Sequence, residues 1–377
     1  MSLNPDQGHV EFLEEYHKGG FHPVHLGDLF HNNRYKVIAK IGNGTYSTVW
    51  LAEDQQADKE EVVLKIIEAD ETDITSELEI LQFLTNVKLE HPGRKHVMTL
   101  LDHFYHTGPN GTHLGLVLPA MVTDLEEAFI RKRKSRPGMS ELRRIAREML
   151  QGVDFLHRMG IVHGDLHPGN IMIQNIMVTS TGTHYHRDGL TPVVTHPVAW
   201  DREVREDQAK VVPRYLVSSQ RRTSQWTKED LDGVEVVIGD LGGAQWSHKC
   251  HLRPVTPAVL RAPEMLGSGE FDSKADIWAL GCSIFELATG KTLFLFDRWG
   301  VTEGEIRKRI LDSIGRRVGA DGRRGFATYL ADQLPKDFGV ENVNRLAEFL
   351  LLMLQIDPRR RRSADAMLRT PFIRDEC

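Results

Sequence analysis

Ile161-Val162-His163-Gly164-Asp165-Leu166-His167-Pro168-Gly169-Asn170-Ile171-Met172 is a polar loop set between an amphipathic helix and a short apolar strand. Asp165 and Asn170 stand five residues apart, so one can bring a carboxylate to a nucleophile and the other an amide oxygen to a hard cation. Phosphoryl transfer needs both. On the N-terminal side, Leu142, Ile145, Met149, Val153 and Leu156 recur at steps of three and four and predict a helix with one buried stripe. On the C-terminal side, Val236-Val237-Ile238-Gly239-Asp240-Leu241-Gly242 reads as an apolar strand ending in a carboxylate and a flexible glycine. That arrangement suits Mg²⁺ bound to substrate phosphates, although Asp-x-Gly taken alone is a common turn.

Further upstream the pattern changes. Arg34-Tyr35-Lys36-Val37-Ile38-Ala39-Lys40, Thr48-Val49-Trp50-Leu51 and Glu61-Val62-Val63-Leu64-Lys65 alternate or cluster β-branched residues and predict antiparallel strands. Between the first two lies Ile41-Gly42-Asn43-Gly44-Thr45-Tyr46, a glycine turn whose N–H groups can approach phosphate oxygens because no Cβ intervenes. Lys65, twenty-three residues after Gly42, ends an apolar run where a cation needs an anionic partner or ligand. From Asp73, the residues Ile74, Leu78, Leu81 and Leu84 fall at helical spacing.

The strand-rich first third and helical remainder argue an α+β protein in two lobes, not a doubly wound sheet. Residues 1–33 read as an N-terminal extension, 34–120 as the strand-rich lobe and 121–377 as the helical lobe, with an insertion at about 174–234. That insertion carries His184, His186 and His196 without strict ligand spacing, and a solvated loop is the preferred reading over a metal site.

In 377 residues, 47 Lys and Arg oppose 53 Asp and Glu, a net charge of −6 that excludes a generally basic nucleic-acid coat. Residues 1–120 alone hold 9 basic and 18 acidic side chains, so the strand-rich part carries the excess. Cys250, Cys282 and Cys377 are too few and scattered for a disulfide framework. No apolar run approaches the roughly 20 residues that span a bilayer. A cytoplasmic or nuclear protein is expected, monomeric, with neither direct nucleic-acid nor membrane contact.

Taken in order, the glycine turn, Val62-Val63-Leu64-Lys65, the 163–170 loop, Asp240-Leu241-Gly242, Ala262-Pro263-Glu264, Asp276-Ile277-Trp278-Ala279-Leu280-Gly281 and Asp357-Pro358-Arg359-Arg360-Arg361 resemble the signature set of eukaryotic protein kinases. The resemblance runs from about Arg34 to Ile373. Tyr16 to Val24, Ser47-Thr48-Val49-Trp50-Leu51, Gly164 in place of an arginine, the Asp-Leu-Gly triplet and the insertion resemble the SR-protein kinase family in particular.

That resemblance implies the bilobal kinase fold, ATP and Mg²⁺ as cofactors, and a protein substrate, Arg/Ser-rich in that family. It makes Asp165 the group that orients the substrate hydroxyl and takes its proton, with His167 beside it where most members have lysine. Lys65 would hold the α- and β-phosphates and pair with a helix glutamate, Glu77 or else Glu79. Asn170 and Asp240 would bind Mg²⁺. Ile41, Gly42, Asn43 and Gly44 would cover the phosphates. Val49, Val63 and Leu118 would enclose adenine, with backbone groups from Pro119 to Met121 at its edge. Arg361 and Glu264 would form a buried ion pair.

Several residues depart from the family. His167 replaces a permanent cation by a group that is mostly neutral at pH 7. Val63 adds two methyl groups over the adenine, and Ala258 stands where the family carries a positive residue. The segment from Arg307 to Arg324 is basic rather than an acidic docking groove. With Gly164 in the loop and 24 residues from Asp240 to Glu264, activity without phosphorylation of Ser247 or Thr256 is expected. Arg221-Arg222-Thr223-Ser224 offers a basic phosphorylation context. Two other functions stay open on sequence alone: a pseudokinase scaffold, and a small-molecule phosphotransferase of the aminoglycoside or choline type, whose catalytic loops His163 to Asn170 also resembles.

Overall fold

A computed structural model describes residues 10–121, 123–131, 136–174, 193–198, 210–220, 233–249, 256–266, 271–294, 302–318 and 323–374. The chain folds into two compact units. The first comprises Met1–Thr85, Thr99–Val122 and Met177–Gln225, and the second Asn86–Met98, Thr123–Ile176 and Trp226–Cys377.

The first unit is built on an antiparallel sheet of β1 (Leu29–Phe30), β2 (Tyr35–Asn43), β3 (Ser47–Asp54), β4 (Glu60–Ile67), β5 (Asp102–Gly108) and β6 (Gly111–Pro119), in the order β1-β2-β3-β4-β6-β5. The three strands expected before residue 70 all form. Directly opposed residues share a face of a sheet, and the register places Lys65 opposite Val49 and Leu116, and Val63 opposite Leu51 and Leu118. One face therefore carries Val49, Val63, Lys65 and Leu118. The other carries Trp50, Ala52, Val62, Leu64, Ile66 and Val117, which pack with Val24, Phe30, Phe104 and Val217 into a core.

Val217 comes from the insertion. Among the described residues, β10 (Thr195–Pro197) and β11 (Tyr215–Val217) form an antiparallel pair. Leu216 joins Tyr16 and Phe21 in a second cluster. Buried Asn110 ties the pieces together, its Nδ2 donating to Phe21 O at 2.5 Å and to Val211 O at 2.8 Å. The sequence reading assigned the insertion to the helical lobe by chain position, whereas these strands pack in the first unit, because Leu216 and Val217 have an apolar surface to bury there. His184, His186 and the 221–224 stretch lie outside the described residues; His196 sits in β10, its Nε2 2.7 Å from Ser218 Oγ.

Helix α1 spans Glu77–Asn86 and starts later than expected. Ile74 precedes it and is 70% exposed. The buried face is Glu77, Ile80, Leu81 and Leu84 rather than Ile74, Leu78, Leu81 and Leu84. A carboxylate that finds a buried cation can occupy a core position that hydrophobicity alone does not assign to it.

The second unit holds β7 (Thr123–Asp124), β8 (Ile161–Val162), β9 (Ile171–Gln174), β12 (Glu235–Ile238) and β13 (Gln245–Trp246). Its helices are α2 (Met139–Arg158), α3 (Lys274–Thr289), α4 (Glu303–Val318), α5 (Arg323–Ala331), α6 (Val340–Met353), α7 (Ala364–Leu368) and α8 (Pro371–Arg374). The strands pair as β12-β9-β7 and β13-β8. The predicted stripe of α2, from Leu142 to Leu156, is fully buried, against the 92–96 turn, β12 and α7. Helix α3 is buried on nearly all sides. Its Gly281 permits this, since an added Cβ would lie 3.0 Å from Met353 Cβ. Among the described residues, no helix is long and apolar enough to cross a membrane.

Candidate active site

Two antiparallel strands bring the loop and the Asp-Leu-Gly segment together. β9 pairs with β12 so that Ile171 opposes Ile238, which puts Asn170 and Gly239-Asp240 at one end of the sheet. Gly239 N–H donates to Asn170 O at 2.8 Å and fixes that junction. Asn170 and Asp240, distant in the chain, are thus neighbours through one strand register.

The loop itself hangs on a buried carboxylate. Asp276, in α3, accepts the N–H groups of His163 and Gly164, each at 2.9 Å, and faces His157 Nε2 at 2.8 Å. Burial works against its charge, but His157, His163 and the Gly164 N–H offset that and hold the carboxyl below its usual range. His163 donates from Nε2 to Gly239 O at 3.0 Å and accepts the Asp165 N–H at Nδ1 at 3.2 Å, which sets its tautomer. Gly164 has φ +74°, and a Cβ there would stand 2.8 Å from Gly243 O, so this backbone disfavours any side chain at the position.

Asp165 is therefore placed from both sides. Asn170 Nδ2 donates to Asp165 O at 3.0 Å and lies 3.4 Å from its Oδ2. Asp165 Oδ1 is buried and has no hydrogen-bond partner among the described residues. Burial raises the Asp165 pKa, and the Asp240 carboxylate adds to that, while His167 and His163 oppose it. Asp240 is exposed, sits in the left-handed region at φ 49°, and accepts the Gly242 N–H at 3.3 Å.

His167 accepts the Gly169 N–H at Nδ1, 3.1 Å away, leaving Nε2 toward Asp165 Oδ2 at 4.0 Å. Burial lowers its pKa, against the pull of Asp165 and Glu126, so the ring is neutral at pH 7. Thr256 is buried and its hydroxyl donates to Gly164 O, while Arg261 Nε donates to Thr256 O at 2.7 Å. That hydroxyl is an internal strut rather than an open modification site. Arg361, fully buried, reaches both oxygens of Glu264 at 2.5 and 2.6 Å, the ion pair expected from the sequence.

In the first unit, Lys65 Nζ lies 2.8 and 2.7 Å from the two oxygens of Glu77. Glu79, the other glutamate considered, is not part of the buried face of α1. Val49 and Val63 are half-buried beside Lys65, and Leu118 is 7% exposed on the same face. Pro119 ends β6 and Met121 follows it, both half-buried. In the β2–β3 turn, Gly44 N–H donates to Ser47 O at 2.8 Å. Ile41 and Gly42 are half-buried, Asn43 and Gly44 exposed, and a Cβ added to Gly42 would meet nothing within 4 Å.

These donors fit a hard cation carried in on phosphates. Asn170 commits its amide nitrogen to Asp165 and leaves the amide oxygen, and Asp240 offers a carboxylate, both oxygen ligands of the kind Mg²⁺ prefers. Among the described residues, no group of three or more His, Cys, Asp or Glu forms a cage for a metal by itself. Mg²⁺ rarely needs one, because it keeps waters and substrate phosphates in its shell. Sequence reasoning missed Asp276 and His157 as the supports of the loop. A lone acid inside the apolar run Ala275-Asp276-Ile277-Trp278 was the available signal, since a buried carboxylate needs donors.

Comparison with known proteins gives a consistent picture. The family model for the protein kinase domain matches residues 35–182 and 228–373. The serine/threonine-protein kinase SRPK of Physarum polycephalum is 29% identical over 97% of this chain and 91% of its own length. Protein kinase dsk1 of Schizosaccharomyces pombe is 29% identical over 97% of this chain and 85% of its own. The SRSF protein kinase 3 of Mus musculus is 24% identical over 98% and 92%. A crystal structure of a kinase domain superposes with a TM-score of 0.60 at 18% identity, covering 93% of this chain and 98% of that one.

Proposed function

Because the chain belongs to the protein kinase domain family, similar to SRPK-type serine/threonine kinases, we propose that it transfers the γ-phosphate of ATP to Ser or Thr hydroxyls of Arg/Ser-rich proteins. The observation that carries this reading is Asp165, braced by Asn170 and His163, with one buried oxygen lacking a partner among the described residues and the Asp240 carboxylate nearby.

Asp165 orients the substrate hydroxyl and accepts its proton as the oxygen attacks. Burial raises its pKa, which makes it a better base than a solvated carboxylate. Lys65, held by Glu77, binds the α- and β-phosphates, and the β2–β3 turn lays its N–H groups over them. Asn170 and Asp240 hold Mg²⁺, which supplies charge neutralisation of the phosphates when bound. Val49, Val63 and Leu118 take the adenine between apolar side chains, and backbone groups from Pro119 to Met121 meet its edge. His167 donates from Nε2 toward the reacting region without a permanent charge, so catalysis rests on positioning more than in a lysine-bearing site.

The test is phosphate transfer from ATP–Mg²⁺ to an Arg-Ser repeat peptide, read by intact mass, beside choline and an aminoglycoside. Transfer to the peptide that disappears in Asp165→Ala supports the proposal. Transfer to a small molecule instead, or nucleotide binding without transfer, overturns it in favour of a phosphotransferase or a scaffold.

A further inference from the structure

Lys40 lies in β2, two residues before Gly42, and points away from the face that carries Lys65. Its side chain is 0% exposed and pairs with Glu11, itself 1% exposed, from the segment that precedes the sheet. Its ammonium also stands 5.4 Å from the centre of the Trp50 ring. Tyr16 donates its hydroxyl to Glu11 and closes the cluster. The Lys40 carbonyl accepts the N–H of Gln220, at 2.9 Å, from the insertion.

One residue thus receives a charge from the N-terminal segment and a backbone bond from a stretch 180 residues downstream. It does so where β2 breaks register with β3, between Lys40 and Gly42. A register break leaves the ladder locally incomplete and bends the strand, so the groups that hold β2 there set the direction in which it enters the turn. A buried ion pair contributes little net stability compared with apolar packing, but it fixes one arrangement where apolar contacts tolerate several.

We infer that Lys40 is a positioning residue: its pair with Glu11 and its bond from Gln220 lock β2 at the entry to the glycine turn, and so set the N–H groups that receive the phosphates. Nucleotide affinity then depends on two segments that touch no nucleotide. This rests on the reading of the turn as part of an ATP site.

The experiment uses the full chain at 20 °C, with ATP–Mg²⁺ affinity by calorimetry and kcat on the Arg-Ser peptide at saturating ATP. Glu11→Gln removes the carboxylate that faces Lys40 Nζ, and Gln220→Pro removes the backbone N–H that the Lys40 carbonyl accepts. Each is expected to raise Kd, Glu11→Gln by about tenfold, with kcat changed less than about twofold. Val24→Ala, a cavity in the same sheet core, is expected to lower the melting temperature comparably and leave Kd within about twofold. Unchanged Kd in Gln220→Pro, or an equal rise in Val24→Ala, overturns the inference. A wild-type chain that binds no ATP–Mg²⁺ overturns the functional proposal with it, whereas normal wild-type binding with unresponsive variants overturns the positioning role alone.

Discussion

Replacing Glu264 by alanine strands a guanidinium. The Arg361 side chain is 0% exposed and Glu264 15%, and their two contacts are 2.5 and 2.6 Å long. Removing one partner of a buried pair costs about 3–5 kcal/mol, because the other charge stays desolvated. Here Arg361 keeps bonds to the carbonyls of Gln355 at 2.7 Å and Lys274 at 2.9 Å, and its stack 5.0 Å above Trp278. Those contacts place the loss at the lower end, about 3 kcal/mol. A unit of this size loses about 2–4 °C of melting temperature per kcal/mol, so a fall of about 6–12 °C is expected. Scanning calorimetry of Glu264→Ala and wild type at pH 7 reads it. Arg359→Ala is the contrast: it pairs with Asp357 at 2.9 Å, but its side chain is 88% exposed, and no shift is expected. A fall under about 2 °C for Glu264→Ala, or equal falls for the two variants, refutes the argument that burial makes this pair matter.

Asp165→Asn keeps the bond from Asn170 to the main chain, so it should bind ATP–Mg²⁺ normally by calorimetry while losing about 10²–10⁴ in kcat. Val63→Ala removes two methyl groups from the half-buried surface beside Lys65, and ATP affinity should rise by about threefold, measured by the same titration. Acid should loosen the first unit. His22 is buried with His106 and His113 at ring distances of 4.6 and 5.0 Å. Burial, aided by those two rings and His25 and opposed by Asp28, pushes His22 down to about 3, and burial also lowers His106 and His113. Unfolded imidazoles bind protons from about pH 6.5, so stability is full above that and declines as the pH falls toward about 3. Urea midpoints at pH 7.5 and 5 should show the fall, and His22→Phe should flatten it.

The strands before residue 70 and the stripe of α2 were legible because each follows one period with little competition. The loop, the glycine turn, Lys65 and Asp240 were legible as an ordered series. Ile74 was not, because hydrophobicity alone could not see that Glu77 would take the core position by pairing with Lys65. Nor did the insertion betray its packing, since three apolar residues, Tyr215 to Val217, look the same whether they meet one unit or the other. Asp276 illustrates the same limit from the polar side. Its donors, His157, His163 and Gly164, are more than a hundred residues away, and only the folded chain brings them to it.

The place of β11 bears on how the protein is made. A nascent chain with β1 to β6 outside the ribosome has its six-stranded sheet, yet Val217, which completes the core on Trp50 and Leu64, is about a hundred residues behind β6. During vectorial synthesis the outer face of that sheet must wait, with apolar side chains uncovered, until the later segment emerges. Closing so long a loop carries an entropic cost and raises contact order, which slows the final step. The interval before residue 217 is therefore where chaperone binding or misassembly would act on this chain.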